Sequence, residues 1–244
     1  MRAVDTSLGG SANAFPVTTA GLVDRLRGPH DPDYRAGLEA LCRDYWRPVY
    51  AYIRIAQARS NEDAKDLTQA FFAWLLEGDA LRKYAPEKGG FRPYLKILLR
   101  RFLAHSDEAM AALKRGGGTR TFSIDALPEG FDPSPAESSD PERLFEQAWR
   151  NEVVHRAIDE VRRRRCAQGD AVAVHVYESY VLSLPAEQPS YADLARTLGL
   201  TEADVKACLV RMRRDVQEEI RRQLSRMTAN DEELAAEWNA LFRR

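Results

Sequence analysis

The residues of this sequence best placed to do chemistry are cations on a helical face, and the chemistry is pairing with phosphate. At about 3.6 residues per turn, Ala203, Ala207, Val210, Arg211 and Arg214 share one face, with Lys206 and Arg213 flanking it. Small side chains allow close approach to base edges, and arginine reaches guanine or phosphate. The opposite face carries Val205, Leu209, Met212, Val216 and Ile220, a stripe that must be buried. Thr201 with Asp204 forms a capping box that starts this helix. Upstream, Ser190 with Asp193 opens a shorter helix behind Pro189, carrying Leu194, Ala195 and Leu198. Gly199 between the two can take the left-handed conformation that turns the chain sharply. A short helix, a glycine turn and a longer basic helix make a helix-turn-helix, whose second helix reads a DNA major groove. A helical hairpin in a core, with its arginines merely solvated, has the same pattern. The rest of the chain must decide between them.

Catalytic chemistry has little to work with. Four histidines stand apart, without metal-ligand spacing. Gly116, Gly117 and Gly118 follow a helix and precede a polar stretch, which makes them a terminator and not a phosphate loop. The three cysteines, Cys42, Cys166 and Cys208, are too scattered for a zinc site or a disulfide framework. They read as small packing residues in a reducing cytosol. The expectation is a protein that is no enzyme and needs no cofactor or metal. No apolar run approaches a membrane span and the N-terminal residues contain no signal-peptide core, so a cytoplasmic location without membrane contact is expected.

The net charge of −1 conceals segregation by sign. Arg92, Lys96, Arg100, Arg101, Lys114 and Arg115 make the stretch from 92 to 115 basic. Seven carboxylates against Arg143 alone make the stretch from 125 to 146 acidic. Arg162 to Arg165 and the second half of the helix-turn-helix are basic again. Blocks of this kind point to separate charged partners for separate segments.

Hydrophobic periodicity supplies the elements that would position these charges, and all are helices. Residues 1–33 form a lead-in, partly disordered, with a weak helix from about Leu22 to Arg27. From Tyr34 to Ala56, Leu38, Leu41, Tyr45, Val49, Tyr52 and Ile53 keep helical spacing, with Pro48 inside as an expected kink or break. Ser60 with Asp63 opens a helix with Ala64, Leu67, Phe71, Trp74 and Leu75 on its inner face, closed by Gly78. Another runs from about Arg92 to Arg115 on Leu95, Leu98, Leu99, Phe102 and Leu103. Residues 34–115 thus read as one helical domain. Residues 116–141, rich in glycine, serine, proline and acid, read as a flexible acidic linker. Helix returns at Pro141 with Leu144, Phe145, Trp149, Val153 and Ile158 inside. A further helix spans about Asp170 to Ser183, and the second domain, 142–226, ends in the helix-turn-helix. Residues 227–244 form an amphipathic tail with Leu234, Trp238, Leu241 and Phe242 apolar, expected to pack back on its own domain. The fold class expected is all-α, two helical domains joined by a flexible acidic linker.

This order of motifs resembles a bacterial RNA polymerase sigma factor of the extracytoplasmic-function group, over about residues 34 to 226. The segment from Glu62 to Phe72 is similar to the one that docks on the clamp helices of the core polymerase. By that match Asp66, Leu67 and Gln69 would be contact residues, with Asp66 and Gln69 on one helix edge. The segment from Gly90 to Phe102 resembles the helix that recognises and opens the −10 element. Strand opening needs cations for phosphates and aromatic surfaces for unstacked bases. Arg92, Lys96, Arg100 and Arg101 would supply the first, and Tyr84, Phe91 and Tyr94 the second. The resemblance implies that the helix-turn-helix binds the −35 element and that the acidic linker threads toward the RNA exit path. The partners implied are core RNA polymerase and promoter DNA, with an anti-sigma protein as a further one. A sigma-like protein that binds polymerase or a regulator without opening promoters is the alternative.

Three departures bear on this. Ala70 stands where the family usually has glutamate. From His105 to Ala112 the chain lacks the arginines that relatives carry. Asp204 replaces a small hydroxyl residue near the start of the recognition helix, where a carboxylate caps the helix but repels phosphate.

Overall fold

The computed structural model describes residues 34–105, 140–184 and 186–242, and every regular element among them is helical. In chain order these are α1 (Tyr34–Ala56), α2 (Asn61–Glu77), a 3-10 turn (Pro86–Lys88), α3 (Phe91–Ala104), α4 (Pro141–Ala167), α5 (Ala171–Val181), α6 (Tyr191–Leu198), α7 (Glu202–Met227) and α8 (Asp231–Phe242). The lead-in 1–33, the C-terminal half of the helix expected to reach Arg115, and nearly all of the linker 116–141 lie outside the described residues.

Local rules explain the boundaries. Ser60 accepts the amide of Asp63 to start α2, and Gly78 ends it. Asp140 accepts the amide of Glu142 at 3.0 Å, and Pro141 occupies the first turn of α4, where a missing N–H costs nothing. Gly199 sits at φ 66° between α6 and α7, a conformation that favours glycine. Pro48 does not split the helix: α1 runs through it from Tyr34 to Ala56. The proline removes one intrahelical bond, and burial of residues on both sides, from Leu41 to Ile53, holds the helix together.

Packing follows the stripes. Within the first half, Phe71 meets Phe102 edge-on at 5.5 Å and Trp46 stacks on Phe72 at 5.7 Å. In the second half, Val205, Leu209, Met212, Val216 and Ile220 are all buried, as their spacing requires. The two halves are not separate cores. One contiguous cluster runs from Leu41 on α1 to Leu241 on α8, and α4 is its spine. The first turns of α4 press Phe145 against Tyr52 of α1, ring centroids 6.5 Å apart. Arg47 donates to Glu152 at 3.0 Å, and Arg156 pairs with the buried Asp44, so charges also register α1 on α4. Further along, Arg165 binds Asp215 and Arg164 lies 3.5 Å from Glu219, which accounts for two buried carboxylates on α7. Half of the basic run at 162–165 is therefore engaged inside the protein. The C-terminal tail forms α8, which buries Leu241, half-buries Leu234 and Trp238, and leaves Phe242 exposed.

A shared core should unfold as a unit. Phe145→Ala, which empties a fully buried site, should lower stability by about 3–5 kcal/mol in one cooperative urea transition seen alike by far-UV circular dichroism and tryptophan fluorescence. Two separate transitions would contradict the continuous core.

Candidate nucleic-acid interface

The face of α7 singled out by spacing is a solvent face. Ala203, Lys206, Ala207, Val210, Arg211, Arg213 and Arg214 are all exposed, while the stripe behind them is buried. Val210 is 65% exposed in the middle of the arginines, an apolar contact of the kind that reads a thymine methyl. The arginines are only lightly engaged: Arg214 lies 3.9 Å from Glu218 and Arg211 3.8 Å from Asp170. Such exposed pairs contribute little and are easily exchanged for phosphate. Lys206 lies 5.8 Å from the centroid of the Tyr191 ring, tying the start of α7 to α6.

Asp204 is exposed at the start of α7, and its carboxylate is engaged in the helix cap. Its Oδ2 accepts both the Thr201 amide at 3.0 Å and the Thr201 hydroxyl at 2.7 Å, completing the capping box. These bonds hold its carboxyl below the ordinary aspartate range. Asp193 is lowered in the same way by Ser190, helped by Arg196.

On the other half of the molecule the expected residues separate. Asp66 and Gln69 are exposed on α2, but Leu67 is 1% exposed and belongs to the core. Its place is to hold α2, out of a partner's reach. On α3, Phe91 is core, edge-on to Tyr45 and Tyr84, and Tyr94 is half-buried with its hydroxyl donating to the Ala80 carbonyl at 2.7 Å. Arg101 and Arg100 are exposed.

Arg92 and Lys96 are not available as expected. Arg92 is 7% exposed: it donates to Glu237 of α8 at 2.9 Å, pairs with Glu146 of α4, and lies 4.0 Å from the centroid of the Trp149 ring. Lys96 binds Glu146 at 2.7 Å and Glu142 at 3.1 Å, and Arg100 lies 3.3 Å from Glu142. Burial pushes the Glu237 carboxyl above the ordinary glutamate range, with Arg92 drawing it back only in part. Sequence reasoning missed these carboxylates, although a signal was present. Glu142 and Glu146, like Glu233 and Glu237, repeat the i, i+4 spacing of Arg92, Lys96 and Arg100.

Among the described residues no group of histidine, cysteine or carboxylate side chains could hold a metal ion, and no helix is long and apolar enough to cross a membrane. Compared with protein-family models, curated proteins and solved structures, the chain matches none of them.

The lowered carboxyls fix the sign of an acid effect. Each contributes stability that is fully present above the ordinary aspartate value of 3.8 and is lost as the pH falls through its depressed folded-state value. Hydrogen exchange should therefore show the first turns of α6 and α7 loosening below about pH 4. Asp204→Asn should flatten that dependence in α7 while leaving α6 unchanged. An unaltered pH profile in α7 would remove Asp204 from its capping role.

Proposed function

We propose that this chain is a sigma factor of the extracytoplasmic-function type: it binds core RNA polymerase and directs it to promoters without performing chemistry itself. The observation that carries the reading is the α7 face. Seven residues chosen by spacing are solvent-exposed together, on a helix whose apolar stripe is buried and which follows a left-handed glycine after a short capped helix. That arrangement suits a helix-turn-helix set into a major groove at the −35 element.

The other parts take roles by their motifs. Residues 34–115 carry the polymerase and −10 roles and residues 142–226 the −35 role, with the acidic linker 116–141 between them and one core beneath both. Asp66 and Gln69, exposed side by side on α2, form the polar edge that docks on the polymerase. The ridge of α3 meets the −10 element, with Arg100 and Arg101 at its exposed end. Work of this kind belongs in the cytoplasm, and an anti-sigma protein is a natural regulator. One observation favours a second reading, a sigma-like protein that does not open promoters: Arg92 and Lys96 are engaged with carboxylates.

Replacing Arg211 and Arg214 together by alanine should weaken binding to duplex DNA taken from upstream of the chain's own gene. The slope of log affinity against log salt should flatten by roughly 1 for each phosphate that is no longer neutralised. An unchanged slope would exclude these arginines from phosphate binding.

A further inference from the structure

The N-terminus of α3 has no cap of its own. Gly90 has no side chain to offer, and the Phe91 amide is satisfied from 142 residues away, by Glu233 of α8 at 2.9 Å. The same carboxylate oxygen accepts the Tyr84 hydroxyl at 3.1 Å, and its other oxygen accepts the Ala229 amide at 2.7 Å. One turn on, Glu237 takes the guanidinium of Arg92. The approach is close: a Cβ at residue 90 would sit 3.4 Å from Glu233 Oε1 and 3.6 Å from Glu237 Oε1. Beside them Glu146 and Glu142 of α4 take Arg92, Lys96 and Arg100 in turn. The ridge Arg92, Lys96, Arg100, together with a helix N-terminus, is thus lined by four carboxylates from α4 and α8. An exposed helix N-terminus with a row of cations beside it is suited to phosphates, and here carboxylates occupy that ground.

We propose that α8 is an autoinhibitory latch over the N-terminal end of the cationic ridge of α3, holding Arg92 and the Phe91 amide, so that nucleic acid reaches that end only after α8 is displaced. The covalent path supports this. α8 continues from α7, yet its carboxylates hold α3, so it fastens the second half of the chain onto the first. Lys96 and Arg100 are held by Glu142 and Glu146 of α4, which stays seated in the shared core, so the latch acts on Arg92 and the start of α3. The hold is limited. Leu241 is the one large apolar side chain of α8 that is buried, Leu234 and Trp238 are half-buried, and Phe242 is exposed. A segment anchored so lightly can open locally without global unfolding. The proposal rests on the reading of α3 as a nucleic-acid surface.

The test uses the full chain with Glu233→Lys and Glu237→Lys, which place cations against the start of α3 and Arg92. Glu233→Gln with Glu237→Gln serves as the milder pair should charge reversal prevent folding. The probe is a fluorescent single-stranded DNA of mixed sequence, about 20 nucleotides long, which reports stacking and phosphate binding without duplex readout by α7. Hydrogen exchange of the α8 amides reports whether the latch has lifted. Expected are faster exchange in α8 and roughly tenfold tighter binding, the gain for an open form populated about one part in ten before release. Adding Arg92→Gln, which removes the cation that α8 releases, should abolish the gain. If α8 lifts and affinity equals that of the wild type, which already binds through Lys96 and Arg100, occlusion is overturned while the reading of α3 stands. If α8 lifts and neither protein binds, that reading falls and takes the latch with it. Slow exchange of α8 in every folded variant would overturn the carboxylates as what holds it.

Discussion

A single long helix that packs on both halves of the chain is the constraint from which the rest of the structure follows. α4 places Phe145 and Trp149 against Tyr52 and Arg92 of the first half, and Arg164 and Arg165 against Glu219 and Asp215 of the second. Its 27 residues leave no point at which the core could divide. Burial of the apolar side supplies the stability, since each large side chain is worth about 1.5–3 kcal/mol. The ion pairs do something different. Asp44 with Arg156 and Asp215 with Arg165 gain little net energy once desolvation is counted, but they fix which turn of one helix meets which turn of the next.

That constraint also decides where charge is available. The sequence segregates its charges by sign, and the fold brings opposite blocks together. The acidic start of α4 lies along the basic ridge of α3, and Arg164 and Arg165 meet the carboxylates of α7. The face of α7 stays outward, with Arg211, Arg213 and Arg214 around Val210. A near-neutral chain can then present a local cationic surface without binding nucleic acid indiscriminately. The carboxyls of Glu237 and Glu152 are both raised by burial despite their arginine partners.

Much of the fold is legible in the sequence because its signals are local. Ser60, Ser190 and Thr201 cap the helices that their spacing predicts, and Gly199 turns the chain where a glycine is needed. The stripe from Val205 to Ile220 is buried, and the residues opposite it are exposed. The misreadings concern positions where distant partners decide. Of the kink or break that Pro48 argues for, the break does not occur, because packing on both sides carries α1 through it. Leu67 sits in a docking motif, yet its neighbours on the helix already place it on the inner face. Arg92 reads as a cation for phosphate, and only the tertiary fold reveals Glu146, Glu237 and Trp149 around it. The carboxylates of α8 read as the polar side of an amphipathic tail, because apolar positions ordinarily define what such a helix packs on.

Run-off transcription with purified core polymerase, on DNA from upstream of the chain's own gene, tests the central claim most directly. The account predicts a transcript of defined start that depends on this protein and is lost with Asp66→Lys, which reverses charge on the exposed edge of α2. A protein that binds core polymerase and that DNA but yields no transcript would contradict it, as would a transcript indifferent to Asp66.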